Sequence, residues 1–462
     1  MNRKRFLETI IGASAFASLP YSAIANDPLA ARHLLKEVEK SADGSMVGFA
    51  AEPIAKVRIG IIGMGNRGSS LLEMLQLMIE NGSAEIAAFA DINPEKLTKA
   101  TEKLNQWQKS KPKIYGKTER DWENLVKQDD VDLVLVTTPW EWHTEMALFA
   151  MNNGKHVATE VPMSYSMSDC WEIIATAERT KKHCIMLENC CYNEEELFVL
   201  KMIEDGVFGD ITHCEGAYLH DLRAHMLDDT YYENQWRIMH HVARDGNLYT
   251  THGLGPISFY LGIGNGDRFE YLTSMSSREL NLSQTAQRMG KDFGKIVCGD
   301  MNSTMMKTNK GKTVLLQFDT HTGRPYSRIN KVVGTKAVHD GYPSRLFIDS
   351  EEPVFWGHKW LDEEGYSSYK KKHVHPVIGR LKEVSQSFKQ GHGGMDFIMM
   401  FRLIECLNKG LPLDINVYES VIWSAVTPLS VLSVASDSLP LPFPKFTGDA
   451  WKKNEAKWVE SK

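Results

Sequence analysis

From residue 57 onward, short apolar runs alternate with longer segments whose apolar positions recur every three to four residues, the pattern of strands alternating with amphipathic helices. Residues 57–62, 85–91, 131–138, 156–161 and 184–188 read as strands, and 69–80, 94–109, 141–152 and 167–180 as the helices between them. The run 131–138 is apolar almost throughout, as a parallel strand covered on both faces would be. This rhythm predicts an α/β fold beginning with a Rossmann-like, doubly wound parallel sheet, whose ligands sit at the carboxyl ends of the strands. After about residue 195 the pattern changes. Strand-like segments at 211–220, 268–275, 304–308, 313–320, 331–335, 337–340 and 345–349 dominate, with few helices between them. They predict a C-terminal α+β domain built on a largely antiparallel sheet. Two late helices, 394–408 and 417–435, are expected to fold back over that sheet. The resulting division is an N-terminal leader at 1–25, an arm at 26–55, a dinucleotide-binding domain at 56–195 and a substrate domain at 196–462.

The leader has the parts of an export signal: Arg3-Lys4-Arg5, a mostly apolar run at 10–19, and Ala23-Ile24-Ala25 as a small-residue cleavage site. Arg3-Lys4-x-Phe6-Leu7 resembles a twin-arginine signal with Lys in the second place, so export of a folded protein to the periplasm is expected, with an ordinary secretory signal as the alternative. The arm is polar and holds one short amphipathic helix, 30–40, expected to lie on the surface. No later segment has the roughly 18 consecutive apolar residues of a membrane span, so no stable membrane insertion is expected after cleavage. A net charge of −6 offers no basic footprint for nucleic acid. Seven cysteines without a Cys-x-x-Cys pair read as buried thiols rather than a disulfide framework, and no zinc-like spacing appears, so no metal is expected. The oligomeric state is left open, a homo-oligomer included.

Candidate chemistry clusters past the strand ends. The first strand runs into Gly63-x-Gly65-x-x-Gly68, and Asp91 ends the second. A glycine turn between strand and helix lets backbone N–H groups approach a pyrophosphate, while a carboxylate on the next strand can accept from an adenosine ribose. The expected cofactor is therefore NAD. Pro139-Trp140-Glu141-Trp142-His143, Glu160-Val161-Pro162 and Glu188-Asn189-Cys190-Cys191-Tyr192 follow later strands. Further on, Tyr218, His220, Asp221, Arg223, Trp236, Arg237 and Tyr249-Thr250-Thr251-His252 form a polar and aromatic set suited to sugar faces and hydroxyls. His240-His241 reads as a solvated pair without a role.

These words, with His321-Thr322-Gly323-Arg324-Pro325-Tyr326 and the 391–397 segment, resemble glycoside hydrolase family 109, the NAD-dependent α-N-acetylgalactosaminidases, within the glucose–fructose oxidoreductase/inositol dehydrogenase superfamily. The likeness spans roughly residues 57 to 450. It implies cofactor contacts from Gly63, Gly65, Asn66, Arg67, Gly68, Asp91, Trp140, Glu141, Trp142, His143, Glu160, Val161, Asn189, Tyr249, Thr250, Thr251 and His252. Substrate contacts would come from Tyr218, Arg237, Tyr249 and Tyr326. The implied substrate is a glycan or glycoconjugate, and the implied mechanism is redox-neutral: C3 loses hydride to NAD, the acidified C2 proton leaves, the C1 group departs, water adds at C1, and C2 and C3 are restored. This differs from the two-carboxylate scheme of most glycosidases. His252 is expected to be the base at the C3 hydroxyl, since an imidazole ordinarily titrates near ~6.5. Tyr326 is expected at the C2 proton or enolate. Sugar dehydrogenases of the superfamily carry Glu-Lys-Pro where this chain has Glu160-Val161-Pro162, which removes a base from its usual place. Within family 109, Thr250 stands where Pro is common and Pro162 where a small polar residue is common. Alternatives are a sugar oxidoreductase that releases NADH, an N-acetylhexosaminidase of the same family, and a non-catalytic sugar sensor.

Overall fold

The computed structural model describes residues 28–350, 352–389, 391–453 and 457–459, so the expected export signal lies outside the described residues. Strands β1 (Val57–Ile62), β2 (Ala84–Ala90), β3 (Lys113–Tyr115), β4 (Leu133–Val136), β5 (His156–Thr159) and β6 (Cys184–Met186) form one sheet in the order β3-β2-β1-β4-β5-β6. Every pair in it is parallel. The Val/Ile/Leu character of β1 and β4 follows from helices covering both faces, which leave β4 wholly buried. Asn93 starts the following helix, Pro94–Leu104, by accepting the Glu95 N–H at 2.9 Å, with Pro94 in the first turn where its missing N–H costs nothing.

The second sheet holds β7 (Ile211–Leu219), β8 (Phe269–Ser276), β9 (Asn302–Thr308), β10 (Thr313–Asp319), β11 (Lys331–Gly334), β12 (Ala337–Asp340), β13 (Arg345–Ile348) and β14 (Leu441–Pro442). Their order is β13-β12-β11-β7-β10-β9-β8-β14, and only the central β7–β10 pair is parallel. Between β6 and β8 the chain is more helical than its pattern predicts, with helices at Glu194–Glu204, Trp236–Ala243 and Thr251–Leu261. The last contains Gly253, Gly255 and Pro256, which disguise it in the sequence. The glycines are there for contact. A Cβ on Gly253 would lie 2.4 Å from the Ala217 nitrogen of β7, and one on Gly216 would lie 2.5 Å from the Gly253 oxygen.

Two expectations are corrected. The Met395–Lys409 helix packs on the first domain, against the Asn66–Met74 helix and β1, instead of over the second sheet. The Val417–Ala435 helix does reach β8, but it also lies against the Met167–Thr180 helix and β6, so it is buried between the two sheets. It is long and apolar enough to cross a membrane, yet here it is core. Its serines serve both domains: Ser420 and Ser424 accept from the Met186 and Met163 N–H groups, and Ser430 and Ser433 from those of Asn247 and Ser274. The arm, likewise, is more than a surface segment. Its Pro28–Val38 helix buries Ala31 and Leu34, and Glu178 accepts from the Asp43 and Gly44 N–H groups. All seven cysteines are buried and free.

Candidate active site

A cavity of about 590 Å³ opens at the carboxyl ends of the parallel strands and is walled on its far side by β7 and the Thr251–Leu261 helix. Gly63 makes the turn out of β1 at φ +93°, a conformation that favours glycine, and Gly65 presents an open Cα face to the cavity. The Asn66–Met74 helix that follows has no side-chain cap, which leaves its leading N–H groups available to an anion. Asp91, at the cavity edge, is held by the Met64 N–H at 2.5 Å and the Asn93 N–H at 2.8 Å. An open glycine, an uncapped helix start and an oriented carboxylate at the next strand fit the pyrophosphate and ribose of a dinucleotide.

Arg67 is committed to protein partners. Its Nε and Nη2 donate to Glu160 Oε1 at 3.0 and 2.8 Å, and its Nη1 donates to Asp396 Oδ2 at 2.8 Å. Asn189 Nδ2 donates to the other Asp396 oxygen at 2.6 Å, and His392 Nδ1 lies 2.8 Å from Asp396 Oδ2. Burial works to raise the Asp396 carboxyl, but Arg67 and His392 hold it well below the usual range. The cofactor-side residues Arg67, Glu160 and Asn189 are thus locked into one ion network with Asp396, a residue without an expected role in the sequence.

Trp140, Glu141, Trp142 and Val161 line the cavity. His143 also lies at its wall, with ring nitrogens 2.8 Å from the Pro162 and Thr138 carbonyl oxygens, so it braces two strand-end loops. Gly68, Thr250 and Thr251, expected among the cofactor contacts, are not among the residues that line the cavity. A Cβ on Gly68 would fall 1.9 Å from the Gly63 oxygen, so this glycine lets the helix close on the turn. Thr250 spends its hydroxyl on the Trp423 carbonyl at 2.6 Å, and Thr251 is buried behind the wall.

On the far side, the Tyr218 and Tyr249 rings lie 4.4 Å apart, and Arg237 sits 4.9 Å from the Tyr249 ring and 5.1 Å from that of Trp140. Arg237 donates to the Tyr232 hydroxyl at 3.0 Å, makes no ion pair among the described residues, and has a buried Nε without a partner. A buried cation boxed by rings and lacking a counter-ion is ready for a polar ligand. His252 Nδ1 lies 2.7 and 2.9 Å from the two Glu188 oxygens, and its Nε2 lies 3.4 Å from the Tyr249 hydroxyl. Burial acts to raise the Glu188 carboxyl, but the adjacent His252 keeps it below its ordinary value and therefore ionised. Glu188 is the main functional residue left unassigned from the sequence; its position at the end of β6, in the same word as Asn189, was the available signal.

Tyr326 does not line the cavity itself but packs against two residues that do, its ring 6.0 Å from Tyr218 and 5.0 Å from His220. Arg328 donates to its hydroxyl at 3.2 Å, yet burial raises the phenol far above its ordinary value. A phenol held protonated is a donor, which suits the enolate half of its expected role at the C2 proton or enolate. His220, which lines the cavity, has Nδ1 2.9 Å from the Tyr218 hydroxyl, and burial lowers it to about 4. The His240-His241 pair is not solvated. Both are buried: the His240 ring lies tilted 4.8 Å from Trp140, and His241 Nδ1 lies 2.9 Å from His321 Nε2.

Residues 57–188 match the oxidoreductase family with an NAD-binding Rossmann fold, and residues 192–453 match the C-terminal domain of glycosyl hydrolase 109. A glycosyl hydrolase family 109 protein of Solibacter usitatus is 43% identical over 418 residues, covering 89% of this chain and 93% of its own. An alpha-N-acetylgalactosaminidase of Shewanella oneidensis is 40% identical over 417 residues, covering 89% and 90%. Among solved structures, a levoglucosan dehydrogenase in complex with NADH and L-sorbose superposes with a TM-score of 0.63 at 17% identity, over 85% of this chain and all (100%) of its own. The WlbA dehydrogenase of Bordetella pertussis, with NADH and UDP-GlcNAcA, gives 0.59 at 17% identity, over 85% and 99%. At that identity the structures attest the fold alone. The sequence relatives and both matched domains carry the assignment: the chain belongs to glycoside hydrolase family 109 and is a glycosidase with an NAD-binding Rossmann domain.

Proposed function

We propose that this enzyme removes terminal α-linked N-acetylgalactosamine from glycoconjugates without net redox change. His252 in the cavity wall, backed by the buried Glu188, carries the reading. An ionised Glu188 against Nδ1 fixes the tautomer with Nδ1–H, which leaves the Nε2 lone pair toward the cavity to take the proton of a substrate hydroxyl. NAD, when bound, supplies the acceptor for a ring hydride and the means to return it. Arg237 and the protonated Tyr218 and Tyr249 hydroxyls supply donors for sugar oxygens or an N-acetyl carbonyl. Tyr326 can donate to an oxyanion that forms as the C2 proton leaves. Val161 contributes no base where sugar dehydrogenases carry lysine, which favours hydrolysis over net oxidation.

Hydrolysis of an α-N-acetylgalactosaminide in heavy water tests the proposal. Deuterium at C2 of the released sugar, with no NADH accumulating, is the expected result. Hydrolysis that leaves C2 fully protonated, across short and long incubations, points to direct displacement at C1. Accumulation of NADH with free sugar favours a net oxidoreductase. We further propose export of the folded enzyme by the twin-arginine-like leader, supported by Arg3-Lys4-Arg5 and the apolar run behind it. A reporter fused to residues 1–25 that stays cytoplasmic would remove that reading.

A further inference from the structure

Away from the cavity, three segments converge on a buried cluster. His241 belongs to the last turns of the Trp236–Ala243 helix, Cys298 to the loop before β9, and His321 to the turn after β10. All three are wholly buried, and one ligating atom from each lies within 4.8 Å of the others. The His241 carbonyl accepts the Val297 and Cys298 N–H groups at 3.2 and 3.0 Å, which holds the cysteine loop against the helix end. His321 is held in turn by its own N–H, which donates to Asp319 at 2.9 Å.

We propose that His241, Cys298 and His321 bind one divalent cation of the zinc class, with Asp300 as the anion behind His321. Two imidazoles and a thiol are the donors that a borderline-soft cation selects, and a set that magnesium or calcium does not. Tetrahedral zinc places its donors about 3.3–3.8 Å apart, so this cluster needs only small adjustments. A second observation points the same way. His241 Nδ1 and His321 Nε2 face each other at 2.9 Å, so both rings already turn a nitrogen toward one point in the cluster, and His321 Nδ1 is left on the side of Asp300.

The surroundings favour a cation. Asp300 Oδ1 lies 3.4 Å from His321 Nδ1, the arrangement in which a carboxylate orients a metal-ligating imidazole. Asp300 also gathers with Glu279 around His321 in an overlapping set nearer the surface, which provides an entry route. Asp245 adds a third carboxylate close to Cys298 and His321. Arg237 and Arg244, near His241, oppose these charges. On binding, the Cys298 S–H bond breaks, a sulfur–metal bond forms, and the proton passes to buffer; no electron moves. The ion would pin the helix that carries Arg237 to the second sheet.

Chelator-treated protein titrated with cobalt(II) tests this. One equivalent producing a thiolate-to-cobalt charge-transfer band, erased by zinc and unaffected by magnesium, is expected. C298S should abolish the band, and H321Q should weaken cobalt binding ~10-fold or more. C190S, which removes the thiol beside His252, should leave the band intact. Absence of a thiolate band in the wild-type protein overturns the proposal whether or not C298S folds, as does a band that survives in folded C298S. A zinc-dependent rise in the melting temperature of the wild type, lost in H321Q, is the second readout.

Discussion

The roles of single side chains follow from what their polar atoms already hold. Glu188 is buried and its carboxylate is spent on His252, so Glu188→Gln keeps the shape while removing the charge that selects the tautomer. Its amide can present N–H to Nδ1, favouring the wrong tautomer, and kcat should fall by ~10²–10⁴-fold with KM changed far less. Steady-state kinetics on an α-N-acetylgalactosaminide measures both; near-normal kcat would remove Glu188 from the mechanism. Tyr326→Phe should behave differently, since the phenol is held protonated and loses only a donor. Turnover should drop while deuterium still enters C2; loss of exchange with substrate still bound would restore Tyr326 as the base. The sequence pointed to His252, Tyr218 and Arg237 because aromatic, cationic and imidazole groups cluster there. It could not show that Tyr326 packs by Tyr218 and His220, or that Thr250 turns to Trp423, because both depend on contacts from remote segments.

At the level of elements, backbone contact sets the site's geometry. A Cβ on Gly255 would lie 2.9 Å from Cys191 Sγ and 3.0 Å from Glu188 Cγ, so Gly255→Ala should push Glu188 out of register with His252. The expected outcome is a loss of kcat larger than the loss of stability accounts for, read by comparing kinetics with denaturant unfolding on the same variant. The Met395–Lys409 helix is tied to the glycine turn through Asp396 and Arg67. Asp396→Asn leaves Arg67 with Glu160 alone, and since Arg67 keeps partial solvent access, a cost of about 1–3 kcal/mol is expected together with weaker NAD binding. Unchanged stability and NAD affinity would show the link to be incidental. The parallel strands were legible because burial on both faces writes a continuous apolar run. The Thr251–Leu261 helix was not, because glycines required for contact with β7 and Glu188 erase the helical signature. β3 escaped notice because three exposed or half-buried residues carry no period.

Across the whole molecule, the arm and the last helices bind the two sheets into one body, and so place titratable groups in interiors that neither sheet would create alone. The His183 ring packs against Phe49 of the arm at 4.9 Å, and the His183 backbone N–H donates to His156 Nδ1 at 3.0 Å, which requires that nitrogen to be unprotonated. Burial lowers His156 to about 4 and His183 to about 3, and near Trp458 it lowers His375 to about 4. In the unfolded chain each titrates near ~6.5. Between those values the unfolded state binds protons that the folded state refuses, so stability rises with pH through this window and falls on acidification. Each histidine contributes a slope of up to about 1.4 kcal/mol per pH unit. Carboxylates held low, such as Asp396, begin to contribute only as pH falls toward the unfolded carboxyl range near ~4, so the histidines dominate from pH ~6.5 to ~5. Unfolding free energy should therefore drop clearly between pH 7 and pH 5. His183→Phe, which removes one buried imidazole whose Nε2 has no partner, should flatten the slope without lowering stability at pH 5. A slope unchanged by that substitution would move the acid sensitivity to other groups.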